Sequence, residues 1–160
     1  MDRLAQTGVL AAEILLCDLE IPASMDPFAK AMVFQNSHSS LDADQRFVAQ
    51  LSEIPSPAIF VYTLPNIVAG EISIRYGFKG EQVFFLSAKP DAEILFHYTK
   101  SLFSEGNTEF CVLGWIDYFQ ENADAVLFAV GGSWEKKGAL KPFTKENLYQ
   151  YFEYEQGDLN

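Results

Sequence analysis

Leu4, Val9, Ala12 and Leu16 recur at helical spacing, and Glu13 falls off their stripe. This pattern predicts an amphipathic helix over residues 3–17. Ile21-Pro22 and Asp26-Pro27 then interrupt it, because a proline disfavours helical geometry in the residue before it. The apolar run Ala31-Met32-Val33-Phe34 reads as a buried strand, and Asn36 to Ser40 as a polar loop. Ser40 can cap a helix that starts near Leu41 and runs to about Leu51; Asp42 and Asp44 suit the positive end of its dipole. After the loop Pro55-Ser56-Pro57, residues 58–62 read as a short extended piece. Thr63, with Pro65 behind it, is a candidate cap for a helix over 66–76 that Gly77 ends in the left-handed conformation. Strands follow over 82–87, 109–115 and 123–130. Between the first two lies a helix that Pro90, Asp91 and Glu93 open and Gly106 closes. Gly131-Gly132 ends the regular part, Glu135-Lys136-Lys137 reads as a solvated turn, and Thr144 caps a last helix through Phe152. Helices alternating with apolar strands give an α/β class with a largely parallel sheet and an antiparallel pair at one edge. One domain over residues 1–152 and a polar tail over 153–160 are expected.

Composition narrows the function classes. Of 160 residues, 49% are hydrophobic and 21% charged, which excludes a disordered chain. The net charge of -11 argues against nucleic acid and anionic membranes as partners. No apolar run reaches the ~20 residues of a membrane span, and the first residues lack a signal peptide's pattern, so a cytoplasmic protein is expected. Cys17 and Cys111 sit in apolar stretches without metal-ligand spacing; a reducing compartment and no metal or other cofactor are expected. The 14 Phe, 7 Tyr and 2 Trp are a heavy aromatic load for one small sheet, and aromatics favour interfaces as well as cores.

Candidate chemistry is sparse. There is no nucleophile elbow, phosphate-binding loop or dinucleotide fingerprint. His97 lies mid-helix, where packing or the surface explains it. His38 lies in a polar loop with no nucleophile adjacent to it in sequence. Asp42 and Asp44 are explained by the first helical turn rather than as a paired carboxylate.

From Pro57 to Gln82 the chain reads P-A-I-F-V-Y-T-L-P-N-I-V-A-G-E-I-S-I-R-Y-G-F-K-G-E-Q. This segment resembles the β-ketoacyl synthase family just before its catalytic cysteine, where a proline, a phenylalanine and an asparagine precede a helix of the form A-G-x-I-S-I-x-x-G-x-x-G. The matching residues are Pro57, Phe60, Asn66, Ala69, Gly70, Ile72, Ile74, Gly77 and Gly80. The loop Asn36 to Asp42, the strand Gly106 to Asp117 and the opening Asp2-Arg3-Leu4-Ala5 resemble further family segments in the same order. The resemblance covers about residues 1–130. It implies half of a thiolase-like fold, a βαβαβαββ-type mixed sheet with helices packed on it, without its first strand.

The resemblance also marks what the family uses and this chain lacks. Counting the length of the nucleophile-bearing helix back from Gly106 places Lys89 at the cysteine's position. The family's catalytic histidines belong to its second half. Condensation within this chain is therefore not expected, and the resemblance implies a non-catalytic ketosynthase-like subunit of the chain-length-factor type. Such a subunit pairs with a full-length ketosynthase in acyl-carrier-protein-dependent fatty acid, polyketide or aryl polyene-type synthesis. It would meet acyl carrier protein only through that partner, since the carrier is acidic. Candidate tunnel or interface residues are Phe47, Phe60, Tyr62, Asn66, Phe84, Phe85 and Phe96, with the strand over 82–87 as the central contact. The alternatives are a self-associating scaffold, an acyl-ligand-binding protein with a cavity between Phe47, Phe60 and Phe96, and an enzyme forming a Schiff base at Lys89.

Overall fold

The computed structural model describes residues 1–52, 54–131 and 141–157. Helix α1 (Arg3–Leu16) forms where the apolar stripe predicts it. The Asp2 carboxylate caps it by accepting the Ala5 amide at 2.8 Å, and Leu4, Val9, Ala12 and Leu16 are buried. A 3-10 turn at Pro27–Ala29, capped by Asp26, then leads into β1 (Lys30–Asn36), longer at both ends than the apolar run suggested. Helix α2 (Leu41–Val48) stops short of the expected Leu51. Ser40 stands at its N-cap position without bonding the helix backbone; its hydroxyl donates instead to the Thr63 carbonyl at 2.9 Å.

The expected extended piece at 58–62 is a helix, α3 (Pro57–Val61). Ile59 and Val61 favour strands only beside a sheet neighbour. Among the described residues no strand pairs with this segment, and Pro57 fits the first helical turn, where its missing N–H costs nothing. Likewise Asn66, not Thr63, occupies the cap position of α4 (Ile67–Tyr76); Gly77 ends that helix at φ 68°, as expected. Strand β2 (Gln82–Leu86), helix α5 (Ala92–Ser104), and the hairpin of β3 (Phe110–Phe119) with β4 (Asn122–Gly131) complete the sheet. Helix α6 (Lys145–Gly157) starts where Thr144 accepts the Asn147 amide at 3.2 Å, and it runs past Phe152 into the segment read as a tail. The predicted turn at 135–137 lies outside the described residues.

The strand order is β2-β1-β3-β4, with β1 parallel to both neighbours and β3 antiparallel to β4. This is a mixed sheet with helices packed on it, as the resemblance implies. β1 runs through the centre, and its alternation divides the core. Met32 and Phe34 join α1 and α4 through Val9, Val68 and Ile72 on one face. Ala31 and Val33 join α5 and α6 through Leu95, Leu148 and Phe152 on the other. Full burial of a side chain such as Phe34 contributes about 1.5–3 kcal/mol. Helices lie on both faces of the sheet, with α6 beside α5. Cys17 is exposed rather than apolar in its surroundings, while Cys111 is buried. Gly8 lets α1 approach α4, since a Cβ there would lie 2.2 Å from Val68 Cγ2.

Candidate functional site

The carboxyl ends of β2, β1 and β3 form one rim, the place where open α/β sheets usually carry their chemistry. At the β2 end the Ser87 amide donates to the Asn36 carbonyl at 2.9 Å, and the Ser87 hydroxyl donates to the Lys89 carbonyl at 2.7 Å. Lys89 is exposed. The first amides of α5 are already occupied: the Asp91 carboxylate accepts Glu93 N–H at 2.9 Å and Ile94 N–H at 3.1 Å. A negative charge thus already fills the place where a helix N-terminus would stabilise a thiolate.

The candidate tunnel and interface residues fall into three groups. Phe47 of α2 and Phe60 of α3 pack at 5.3 Å between ring centroids. Around them Val48, Leu51, Val61 and Leu64 are all about half exposed or more, as is Phe60, so the two helices present an apolar surface. Tyr62 lies at the end of α3, and its hydroxyl donates to Glu71 at 2.8 Å; that bond, then burial, pushes the phenol up to about 12. Asn66 is exposed and makes no cap bond. On β2, Phe84 meets Phe34 and Phe85 meets Tyr98, on the two faces of the edge strand. Phe96 sits on α5 against Phe143 at 5.2 Å. Phe47, Phe60 and Phe96 therefore do not line one cavity.

A cluster on the same rim is not apparent from the sequence. Asp117 of β3 is buried and accepts three donors from the β1–α2 loop: Ser37 Oγ at 2.7 Å, His38 Nδ1 at 2.6 Å and the His38 amide at 3.3 Å. The His38 ring stacks on Phe119 with centroids 4.6 Å apart and planes 12° from parallel. Behind it, the Asn36 side chain bonds Ser39 in both directions, at 2.9 and 3.0 Å, and holds Ser39 at φ 53°. Asp124 faces Asp117 across the β3–β4 ladder, and its own burial, with the facing Asp117 charge, pushes its carboxyl up. His38 is legible as a loop histidine. Its partner lies far along the chain; the one signal is an aspartate interrupting an otherwise apolar strand. Among the described residues, no group of three or more metal-ligating side chains comes together. No helix among them is long and apolar enough to cross a membrane.

No family model and no curated protein matches the chain. Solved structures do. "The ishigamide ketosynthase/chain length factor" superposes with a TM-score of 0.60 at 20% identity, over 74% of this chain and 35% of that one. "Ketosynthase (ApeO) in Complex with its Chain Length Factor (ApeC) from Xenorhabdus doucetiae" gives 0.62 at 12% identity, over 96% of this chain and 69% of that one. A type II polyketide acyl-carrier protein in complex with its ketosynthase bound to the hexaketide, AntDE:AntF, gives 0.52 at 18%, over 76% and 36%. The chain spans about a third of the first and third of these and more than two thirds of the second. It has a ketosynthase/chain-length-factor-like fold.

Proposed function

We propose that the chain is a ketosynthase-like subunit that carries out no condensation and works beside a full-length ketosynthase, in the manner of a chain length factor, in the cytoplasm. The observation that carries this reading is the α5 N-terminus. The sequence resemblance matches it to the nucleophile's place, and it holds an exposed lysine and a carboxylate that already caps the helix. Two surfaces suit a partner. Among the described residues β2 pairs on one side only, with β1, and the α2–α3 surface around Phe47 and Phe60 is apolar and exposed. Phe84 and Phe85 would lie at the first and Tyr62 and Asn66 beside the second, over a domain of residues 1–152. A charge of -11 repels an acidic carrier, so the full-length partner would dock it. Fatty acid, polyketide and aryl polyene-type synthesis all fit this role.

A tagged pull-down from the source organism's lysate, read by mass spectrometry, tests it. The expected result is a full-length ketosynthase in stoichiometric amount, lost on Phe60→Asp. A chain that elutes alone as a homodimer would favour the second reading, a self-associating scaffold, which the outer side of β2, unpaired among the described residues, also supports. A Schiff base at Lys89 has little behind it: the lysine is exposed, without the burial that makes such amines nucleophilic.

A further inference from the structure

We infer that His38 and Asp117 form a proton-transfer site for acyl-thioester cleavage by a nucleophile brought from outside the chain. The order of atoms carries the assignment. Asp117 is buried, and His38 Nδ1 lies 2.6 Å from its Oδ2. A carboxylate accepts only, so Nδ1 carries the proton and the neutral ring's lone pair falls on Nε2. No described residue bonds Nε2, and the His38 side chain is 39% exposed. The Phe119 stack and the two-way Asn36–Ser39 bonds fix the ring's plane and the loop that bears it. Ser39 is held at φ 53°, in the left-handed region that costs a non-glycine residue energy and that collects at functional sites.

A serine triad is not what is built. In a triad the hydroxyl bonds the nitrogen remote from the carboxylate. Here Ser37 Oγ lies on the Nδ1 side, 2.9 Å from that nitrogen and 2.7 Å from Asp117. Ser37 therefore helps to hold the aspartate, and Nε2 has no nucleophile of its own. A base with this arrangement acts on a molecule that arrives, and water is the simplest.

The step balances without an oxidant or reductant. Nε2 takes a proton from water as its oxygen bonds the thioester carbonyl carbon. The tetrahedral adduct then breaks its C–S bond, and the sulfur leaves with the proton from Nε2. One thioester and one water give one carboxylic acid and one thiol. Asp117 stays ionised and stabilises the imidazolium between the two transfers. The thioester is the substrate class because this inference rests on the proposed role in acyl-carrier-dependent synthesis.

The test uses S-butyryl-N-acetylcysteamine and the full chain alone, with Cys17→Ser in every sample so that its exposed thiol does not react. Thiol release is followed. The expected result is a rate above buffer that falls at least tenfold in His38→Ala and returns when imidazole is added. A base removed from a positioned site commonly costs about 10²–10⁴-fold. Asp117→Asn, whose amide can donate to Nδ1 and move the proton to Nε2, should also slow the rate while the circular dichroism spectrum stays native. His97 is the internal control: it also meets a carboxylate, Glu93, through Nε2 at 2.9 Å, but that pair lies exposed on α5, with no buried aspartate to orient the ring. His97→Ala should leave the rate unchanged. A wild-type rate equal to buffer, or equal losses in His38→Ala and His97→Ala, would overturn the assignment. No ketosynthase is present in the assay, so either outcome is separate from the pull-down.

Discussion

Gln35 holds Asp91 by both ends of its amide: Nε2 donates to the Asp91 carbonyl at 3.2 Å, and Oε1 accepts the Asp91 N–H at 2.9 Å. This pair ties the end of the central strand to the start of α5. Gln35 is fully buried, so Gln35→Leu would strand two backbone groups. A loss of about 1–3 kcal/mol in urea unfolding is expected. A change within about 0.5 kcal/mol would mean that water replaces both bonds.

Two glycines should respond in opposite directions. Gly114 sits in β3 at φ 147°, and a Cβ there would lie 2.1 Å from the Val126 carbonyl oxygen on β4. Gly114→Ala must therefore open the β3–β4 ladder, with a loss of about 3 kcal/mol or more. Gly70 lies inside α4, and a Cβ there would meet nothing within 4 Å, so Gly70→Ala should stabilise by about 0.5–1 kcal/mol. Paired denaturant titrations check both signs.

The two thiols should separate cleanly. Burial pushes the Cys111 thiol up to about 12, while Cys17 is exposed. The thiolate is the reactive form. At pH 8, iodoacetamide should modify one site in the native protein, located at Cys17 by peptide mass spectrometry, and two in denaturant. Rapid native labelling of Cys111 would show that the α5 face of the sheet opens.

Tyr62 gives an alkaline signature. Its bond to Glu71 raises the phenol from about 10 in the unfolded chain to about 12 in the folded one. A group raised on folding stabilises fully below its unfolded value, and the contribution disappears as pH climbs through the folded one. The stability difference between wild type and Tyr62→Phe should therefore hold level up to about pH 10 and shrink toward pH 12. Thermal unfolding across that range measures it. A difference unchanged at high pH would mean that the bond is not made.

What the sequence shows and what it hides divide along a physical line. α1, α4 and α5 are legible because each carries its own stripe and stop: Leu4 to Leu16, Gly77, and Asp91 with Gly106. Residues 58–62 mislead because Ile59 and Val61 favour a strand only if the fold supplies a neighbour, and none of the described strands lies beside them. The pairing of His38 with Asp117 is hidden for the opposite reason. Each residue is ordinary in its own segment, and only the parallel register of β1 with β3 brings them together. Phe47 and Phe60 stand out in the sequence as separate candidates; their contact depends on the α3 helix, which the local pattern does not reveal.

The strand order bears on how the chain is made. β3 and β4 meet through a two-residue turn at Gln120 and Glu121 and can zip locally. β1 cannot. Its partners begin at Gln82 on one side and Phe110 on the other, so this buried central strand leaves the ribosome long before either neighbour exists. Such long closures slow folding and prolong exposure of strand edges. Ala31 to Phe34 is then the segment most in need of a chaperone during synthesis. Yield should depend more on how slowly the chain is translated, and on what shields it meanwhile, than on the stability of the finished sheet.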